Sequence, residues 1–357
     1  MALGCGDYRV FVLTRSGVTD ERAVLEVPWA RITWGRVLDE TSAASVTAGG
    51  GCCAAVRAAG LRPWAHQLAL VRVGDEPPRV WSGPLVGLRD TADAGIVFDA
   101  RDLSAWVDHR RVHDVHEHSA EELTSIFESL WDDAMAPDPI EDYTLSLTPG
   151  TVTGDREVLP EQNRIAGDEL RELSRTGVDW TVVDRVQYVA AEEIPTPTVL
   201  GPLIPEHFVE PPDVEVDGTV MANDWVVAGS GGGAEGDEVV GVASQPAGGA
   251  EGLLESVASE SAILDVTSAD EAAATRLARS ADPPVFIRDA KLAQTAPVAM
   301  ADLIPGARAR IALGSRCIPV DVTQRLTSVQ VEVTKNGEAV SEQVTLNFEP
   351  LGTVADT

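Results

Sequence analysis

Short runs in which apolar and polar residues alternate fill the first third of the chain and predict β-strands. The predicted strands cover 8–13, 24–27, 32–38, 44–47, 68–73, 80–88 and 95–100. Turn signals separate them, including three consecutive glycines at 49–51 and the Pro77-Pro78 pair. Several short strands joined by close turns are typical of an antiparallel barrel or sandwich.

The hydrophobic period becomes helical after residue 112. Apolar residues at helical spacing predict a helix over 123–131, and Ser119 with Glu122 predicts a capping box at its start. A second helix is predicted at 164–175, ending at Gly177. Strands are predicted at 143–148, 178–182 and 186–188, followed by a proline-rich connector at 191–215. Residues 112–205 are therefore predicted to form an α+β insertion domain.

Strand patterns return in the last part of the chain. They predict strands at 220–227, 238–243, 285–288, 308–313, 318–322, 326–334 and 342–348. Asn336-Gly337 predicts a hairpin between the last two, and Ser268 with Glu271 predicts a second helix capping box. The chain of 357 residues is too long for one ordinary core. We therefore expect a mainly β fold: a β-domain at 1–111, the insertion domain, and a second β-domain at 206–357 with a glycine-rich and helical insertion at about 229–282.

Acidic residues outnumber basic ones, 57 to 27, for a net charge of −30. A nucleic-acid binder needs a basic surface, so this charge argues against that class. It is compatible with a channel that DNA crosses without sticking, and equally with simple solubility. No apolar run approaches the ~18 residues of a membrane span, and the N-terminus lacks signal-peptide features. We expect a chain made in a cytoplasm, without membrane insertion, whose four cysteines are free thiols.

Four histidines fall within residues 109–118: His109, His113, His116 and His118. A metal site needs several imidazoles converging on one ion, and neither HExxH nor a zinc-finger spacing is present. The favoured interpretation is a solvated linker of mixed charge; a metal site and a pH-sensitive joint are the alternatives.

No other motif predicts catalysis or a cofactor. Residues 231–236 match GxGxxG, but a strand pattern follows instead of the helix that a dinucleotide site requires, which favours a hairpin loop. The P-loop and the GxSxG nucleophile elbow are absent from the sequence. We therefore predict no catalytic residues, no cofactor and no enzymatic activity.

Several segments resemble the tail hub proteins of siphophages, especially those that infect actinobacteria, and through them the baseplate hub of contractile phages. The matching segments, in order, are 34–39, 42–46, 79–83, 101–111, 169–173, 177–181, 268–272, 302–306 and 326–333. The resemblance implies two antiparallel, tail-tube-like β-barrel domains with α+β insertions. Tryptophans and arginines of the first domain then become candidates for barrel packing and for contacts with the tube or other subunits: Trp34, Arg36, Trp81, Trp106 and Arg110.

The resemblance also implies a structural role at the tail tip of a virion. Three subunits would form a ring around the channel through which viral DNA passes without specific binding. The implied partners are the distal tail, tail tube and tape measure proteins and other minor tail, tip or fibre proteins. Two alternatives stay open: a tail-associated cell-wall hydrolase or peptidase, and a hexameric distal tail or tube protein.

Overall fold

The computed structural model describes residues 3–15, 23–49, 51–91, 95–140, 143–191, 194, 199–219, 221–229, 239–245, 252–260, 266–280, 282–314 and 317–350. The chain divides into two compact units. The larger comprises Met1–Pro212 and Asp289–Phe348, and the smaller comprises Asp213–Arg288 and Glu349–Thr357. The prediction of a mainly β fold is confirmed. Within the described ranges, no helix is long and apolar enough to cross a bilayer.

All seven strands predicted in the first third are present. They are β1 (Asp7–Thr14), β2 (Ala23–Glu26), β3 (Trp29–Val37), β4 (Ala43–Ala48), β5 (His66–Val73), β6 (Arg79–Thr91) and β7 (Gly95–Arg101). A short helix, α1 (Cys53–Ala59), follows the predicted glycine turn at 49–51, in a segment for which the sequence pattern predicts no element. Its alanine-rich residues favour a helix, and Gly60, with φ +61°, ends it in the left-handed conformation.

The middle of the chain has the predicted α+β character. Its elements are β8 (His116–Glu122), α2 (Leu123–Met135), β9 (Thr144–Thr148), β10 (Thr153–Val158), α3 (Ala166–Arg175), β11 (Val178–Val183) and β12 (Val186–Ala191). Strands β11, β12 and β9 form one sheet, and β8 pairs with β10 in another. The apolar faces of α2 and α3 share a core with Val178 and Trp180 of β11.

The capping box predicted at Ser119 is wrong. Ser119 lies inside β8, and α2 begins only at Leu123. The N-cap is Glu122, whose carboxylate accepts the backbone N–H of Ser125 at 3.0 Å. Pairing of β8 with β10 runs as far as Glu122, so the N-cap lies three residues after the Ser119 that the capping box predicts.

The remaining elements of the larger unit complete one extended sheet. They are β13 (Leu200–Leu203), β19 (Ala290–Leu292), β20 (Arg308–Leu313), β21 (Val320–Asn336) and β22 (Ala339–Pro350). Among the described residues the sheet has 12 strands, and ten of them follow the order β13-β20-β21-β3-β4-β7-β6-β5-β1-β2. Strand β22 pairs with β21 across the predicted turn at Gly337, and it also pairs with β19. Since β21 pairs antiparallel with β3, strands from both predicted β-domains share this sheet.

The smaller unit contains β14 (Asp213–Val216), β15 (Asp224–Gly229), β16 (Val239–Ser244), β17 (Glu255–Glu260), α4 (Val266–Ser280) and β18 (Val285–Arg288). Strand β14 pairs with β18, and the other three form a sheet in the order β16-β15-β17. Helix α4 packs on one face of that sheet, closely enough that a Cβ at Gly241 would lie 2.1 Å from the carbonyl carbon of Ala269. The capping box predicted at Ser268 is wrong, because α4 begins at Val266. The predicted loop at 231–236 lies outside the described residues.

Candidate functional site

Three of the five predicted packing residues are almost fully buried within the larger unit. Trp34, Arg36 and Trp81 each expose 2% or less of their surface. Trp34 and Arg36 share the buried face of β3, and the indole Nε1 of Trp81 donates to Ser42 Oγ at 3.2 Å. These side chains pack the core of their own chain, so any part they play in a subunit contact stays a prediction and would be indirect.

The other two, Trp106 and Arg110, lie where β7 leads into the α+β segment. The indole of Trp106 is buried, and the Arg110 guanidinium carbon lies 5.6 Å from the centroid of its ring. Arg110 also donates to the carbonyl oxygens of Ala134 at 3.0 Å and Asp138 at 2.8 Å. Arg110 therefore caps the C-terminal end of α2, where a cation is favoured. Burial lowers the pKa of Arg110, the charge of Asp138 opposes that shift, and nearby Arg15 adds to it.

A cleft of about 410 Å³ opens beside this cap. We name it the basic cleft; its lining residues are His109, Arg110, Arg111, His113, Ala134, Pro137 and Ile165. Four of these residues are basic or can become so, and the other three are apolar. This is a concave surface suited to an anion that carries some apolar bulk.

The backbone holds the basic side of the cleft in place. Arg111 forms an antiparallel bridge with Ile165, and the amide of Ala166 donates to the carbonyl of Arg110 at 2.8 Å. The ring of His109 packs edge-on against Trp64, with centroids 4.5 Å apart. The cleft is therefore formed by ordered segments of three elements and does not depend on a single loop.

The other two histidines of the cluster form a separate group. The rings of His116 and His118 stack with centroids 5.8 Å apart. Nδ1 of His116 lies 2.9 Å from Ser129 Oγ, and its Nε2 lies 3.3 Å from Asp133 Oδ2. Nδ1 of His118 lies 2.6 Å from Glu121 Oε2. The contacts of His116 join β8 to α2, and the contact of His118 lies within β8 itself.

The histidine cluster is thus divided into two pairs, one lining the basic cleft and one on β8. In the part of the chain that the structure describes, no three or more His, Cys, Asp or Glu side chains come together as metal ligands. The prediction of a solvated linker is wrong for residues 116–118, which lie in β8 with His116 buried. The polar residues of β8 do not show the alternation that predicts a strand. Its pairing partner, β10, lies about 35 residues further along the chain.

Sequence reasoning missed the apolar wall of the cleft, formed by Ala134, Pro137 and Ile165. These residues come from the end of α2, the segment after it and the start of α3, so only the fold brings them to the histidines. The signal that could have drawn attention to the cleft is the Arg110-Arg111 pair between two histidines in a strongly acidic chain.

The smaller unit presents a second unusual surface. On the sheet face opposite α4, register places Val226 beside Val242 of β16 and Val257 of β17, with Val240 nearby. Val240, Val242 and Val257 are 43%, 55% and 69% exposed. We call this the valine face. A solvated sheet face is normally polar, so an exposed row of valines is unusual.

The chain is similar to known proteins in its three-dimensional fold and not in its sequence. No protein-family model matches the chain, and no curated protein sequence matches it. A tail protein from Neisseria meningitidis has a TM-score of 0.62 with 14% sequence identity, over 97% of this chain and 97% of that one. The 43 kDa tail protein of prophage MuSo2 from Shewanella oneidensis has a TM-score of 0.62 with 12% identity, over 96% of this chain and 98% of that one. A prophage tail protein from Listeria monocytogenes has a TM-score of 0.57 with 10% identity, over 95% and 94%.

At identities this low, the likeness concerns the three-dimensional fold and carries no residue-level function. It extends over nearly the whole of each chain, so it includes the insertions as well as the large sheet. The resemblance predicted from the sequence is confirmed at this level: the chain has the fold of phage tail proteins.

Proposed function

We propose that this chain is the structural tail hub of a long-tailed phage. Three copies form a ring at the tail tip that surrounds the DNA channel and joins the tail tube and distal tail protein to tip or fibre proteins. The observation that carries the proposal is the fold likeness to tail proteins over nearly the full length of both chains. We further propose that the two β-regions act as tube-like barrels in the assembled ring, as the sequence resemblance implies.

The charge of the chain supports this role. A net charge of −30 on each subunit would give a ring a strongly negative wall. Such a wall repels the phosphate backbone, so DNA can pass without binding. The exposed valine face also supports an assembly role, because contiguous apolar surface on a soluble protein commonly marks an interaction site.

Native mass spectrometry of the full-length protein at micromolar concentration tests the proposal. We expect a dominant species of three times the chain mass of 37.8 kDa. Negative-stain images of that species should contain rings with a central opening. A mass of six subunits would replace the hub with the hexameric distal tail or tube alternative, and a monomer under these conditions would contradict both.

A further inference from the structure

We propose that the basic cleft binds an acidic protein segment whose carboxylates contact Arg111, His109 and His113. The inference rests on the cleft itself and does not depend on the number of subunits in the proposed ring.

The charges around the cleft contrast with those of the chain. The chain carries 57 acidic and 27 basic residues, yet Arg15, Arg110 and Arg111 come together here. The exposed carboxylate of Asp138 is the counterion of Arg15 and lies 3.6 Å from Arg110. Arg111 donates to the side-chain oxygen of Asn163, and no ion pair joins it to a carboxylate among the described residues. Its positive charge is therefore available to a ligand.

The two histidines of the basic cleft are further side chains that no described carboxylate occupies. His109 and His113 are solvent-exposed, and within the described ranges neither ring pairs with a carboxylate. The carboxylate of Asp133 is buried, and its Oδ2 already accepts the backbone amide of His113 at 2.7 Å. Asp114 follows His113 in sequence but does not line the cleft. A carboxylate from another molecule would therefore meet three side chains, Arg111, His109 and His113, that pair with no carboxylate among the described residues.

The cleft is also ordered before a ligand arrives. Arg110 is anchored by the α2 carbonyls, His109 by Trp64, and His113 by its backbone bond to Asp133. A preorganised site loses less conformational entropy on binding, which favours affinity.

Shape and charge together favour a peptide carboxylate over a nucleic acid. The exposed Pro137 and the half-buried Ile165 can cover the methylene groups of a glutamate, while a guanidinium binds its carboxylate with two parallel hydrogen bonds. A polyphosphate backbone would extend beyond one cleft of about 410 Å³ onto a chain of net charge −30, which repels it.

The test is calorimetric titration of the full-length protein with a hexaglutamate peptide at low salt, with a glycine–serine peptide of equal length as the control ligand. We expect saturable binding of hexaglutamate that weakens as salt is added. Arg111→Gln and the double variant His109→Gln/His113→Gln should each weaken it by about tenfold, the loss expected for one charged hydrogen-bonding partner. Arg57→Gln removes an exposed arginine on α1, away from the cleft lining, and should bind like the wild type.

Absence of hexaglutamate binding by the wild type, or equal binding by Arg111→Gln and Arg57→Gln, would overturn the inference. Binding of inorganic phosphate with the same affinity as hexaglutamate would overturn the choice of an acidic segment. Where hexaglutamate binds, native mass spectrometry of Arg111→Gln identifies the source of the segment. Loss of the wild-type oligomer assigns it to a second copy of this chain, and an unchanged oligomer assigns it to a different protein. A monomeric wild type that binds the peptide would contradict the proposed ring and leave the cleft inference standing.

Discussion

Arg36 lies in the core of the larger unit, where its guanidinium donates only to backbone. Nη1 reaches the carbonyl oxygens of Met300 at 3.0 Å and Leu303 at 2.8 Å, and Nη2 reaches that of Val80 at 3.0 Å. Val80 is the extra residue of a bulge between β5 and β6, so its carbonyl has no partner in that ladder. Burial lowers the pKa of Arg36 to about 10, which leaves it charged at neutral pH. One buried cation thus donates to three carbonyls from two separate segments, the bulge on β6 and the turn at 300–303.

Arg36→Met should lower the free energy of unfolding by about 3 kcal/mol, because three carbonyls lose a charged hydrogen-bond donor at a buried position. Arg36→Lys should lower the free energy of unfolding by less, since the lysine ammonium can still donate to some of the three carbonyls. Urea unfolding followed by tryptophan fluorescence measures both. The control is Arg31→Met on the same strand, whose exposed ion pair with Glu332 should contribute less than about 1 kcal/mol. Equal losses at positions 31 and 36 would contradict this account of Arg36.

At the scale of elements, the start of α2 depends on one carboxylate. Glu122 accepts hydrogen bonds from Thr124 Oγ1 and from the amides of Ser125 and Gly150. Partial burial favours the neutral acid, but these bonds outweigh it and hold the pKa of Glu122 below its ordinary value of 4.5. Its charge also interacts favourably with the helix dipole.

Glu122→Gln should cost about 1 kcal/mol of stability at neutral pH, the usual effect of a lost N-cap. Because the pKa of Glu122 is lower in the folded state, its contribution is fully present above the unfolded value. It is lost as pH falls through the folded value. The difference between wild type and variant should therefore shrink in acid, as measured by urea unfolding at neutral pH and below the ordinary glutamate pKa. Glu128→Gln, on the exposed face of α2, is the control and should change little at either pH. A difference that grows in acid would contradict the cap.

At the scale of the whole molecule, a buried ion pair ties the first strands to the last. Glu342 on β22 accepts from Arg72 Nη2 at 2.9 Å, from Tyr8 Oη at 2.6 Å and from the Gly6 amide at 2.6 Å. The side chains of Arg72 and Glu342 are only 5% and 1% exposed. Burial, and then the charge of Glu342, raise the pKa of Tyr8 well above its usual value.

Glu342→Gln should cost about 3 kcal/mol, because it leaves the buried Arg72 without its main counterion. Thermal and urea unfolding of the full chain measure the loss. Asp321→Asn removes a carboxylate that pairs with Arg310 where both side chains are more than half exposed, so it should change the free energy of unfolding little. A stability loss at Glu342 no larger than at Asp321 would show that the pair does not join the two ends of the chain energetically.

The two-unit organisation makes a further prediction. Asp213 of β14 pairs with Arg288 of β18, so the ends of the segment 213–288 lie about 5 Å apart. Replacing that segment by a short glycine–serine linker between Pro212 and Asp289 should leave a larger unit that folds, with cooperative thermal unfolding by circular dichroism. Deleting residues 116–191, a segment of the same length, removes core residues such as Phe127 and Trp180 and should abolish cooperative unfolding. Loss of cooperativity in the first variant would contradict independent folding of the larger unit.

Strand and helix positions were largely predictable from the sequence because their signals are local. Alternation along β3 places Ile32, Trp34 and Arg36 on one face, and the structure buries all three. The apolar spacing in α2 likewise predicts its buried face, including Phe127 and Leu130. The N-cap of α2 was not predictable, because it depends on the pairing of β8 with a strand that is distant in sequence. The basic side of the cleft could be suspected from residues 109–113, whereas its apolar wall could not.

The sequence by itself determined the mainly β character, the positions of most of the helices and strands, the α+β character of the middle of the chain and the resemblance to phage tail proteins that the fold comparison confirms. These depend on side-chain periodicity, turn chemistry and short motifs, which act over a few residues. Only the tertiary structure decided that β3 pairs with β21, that Arg36 satisfies three carbonyls, and that four histidines divide between a cleft and a strand. Those outcomes depend on which distant segments meet, and a repeating pattern of valines and threonines is compatible with many partners until packing selects one.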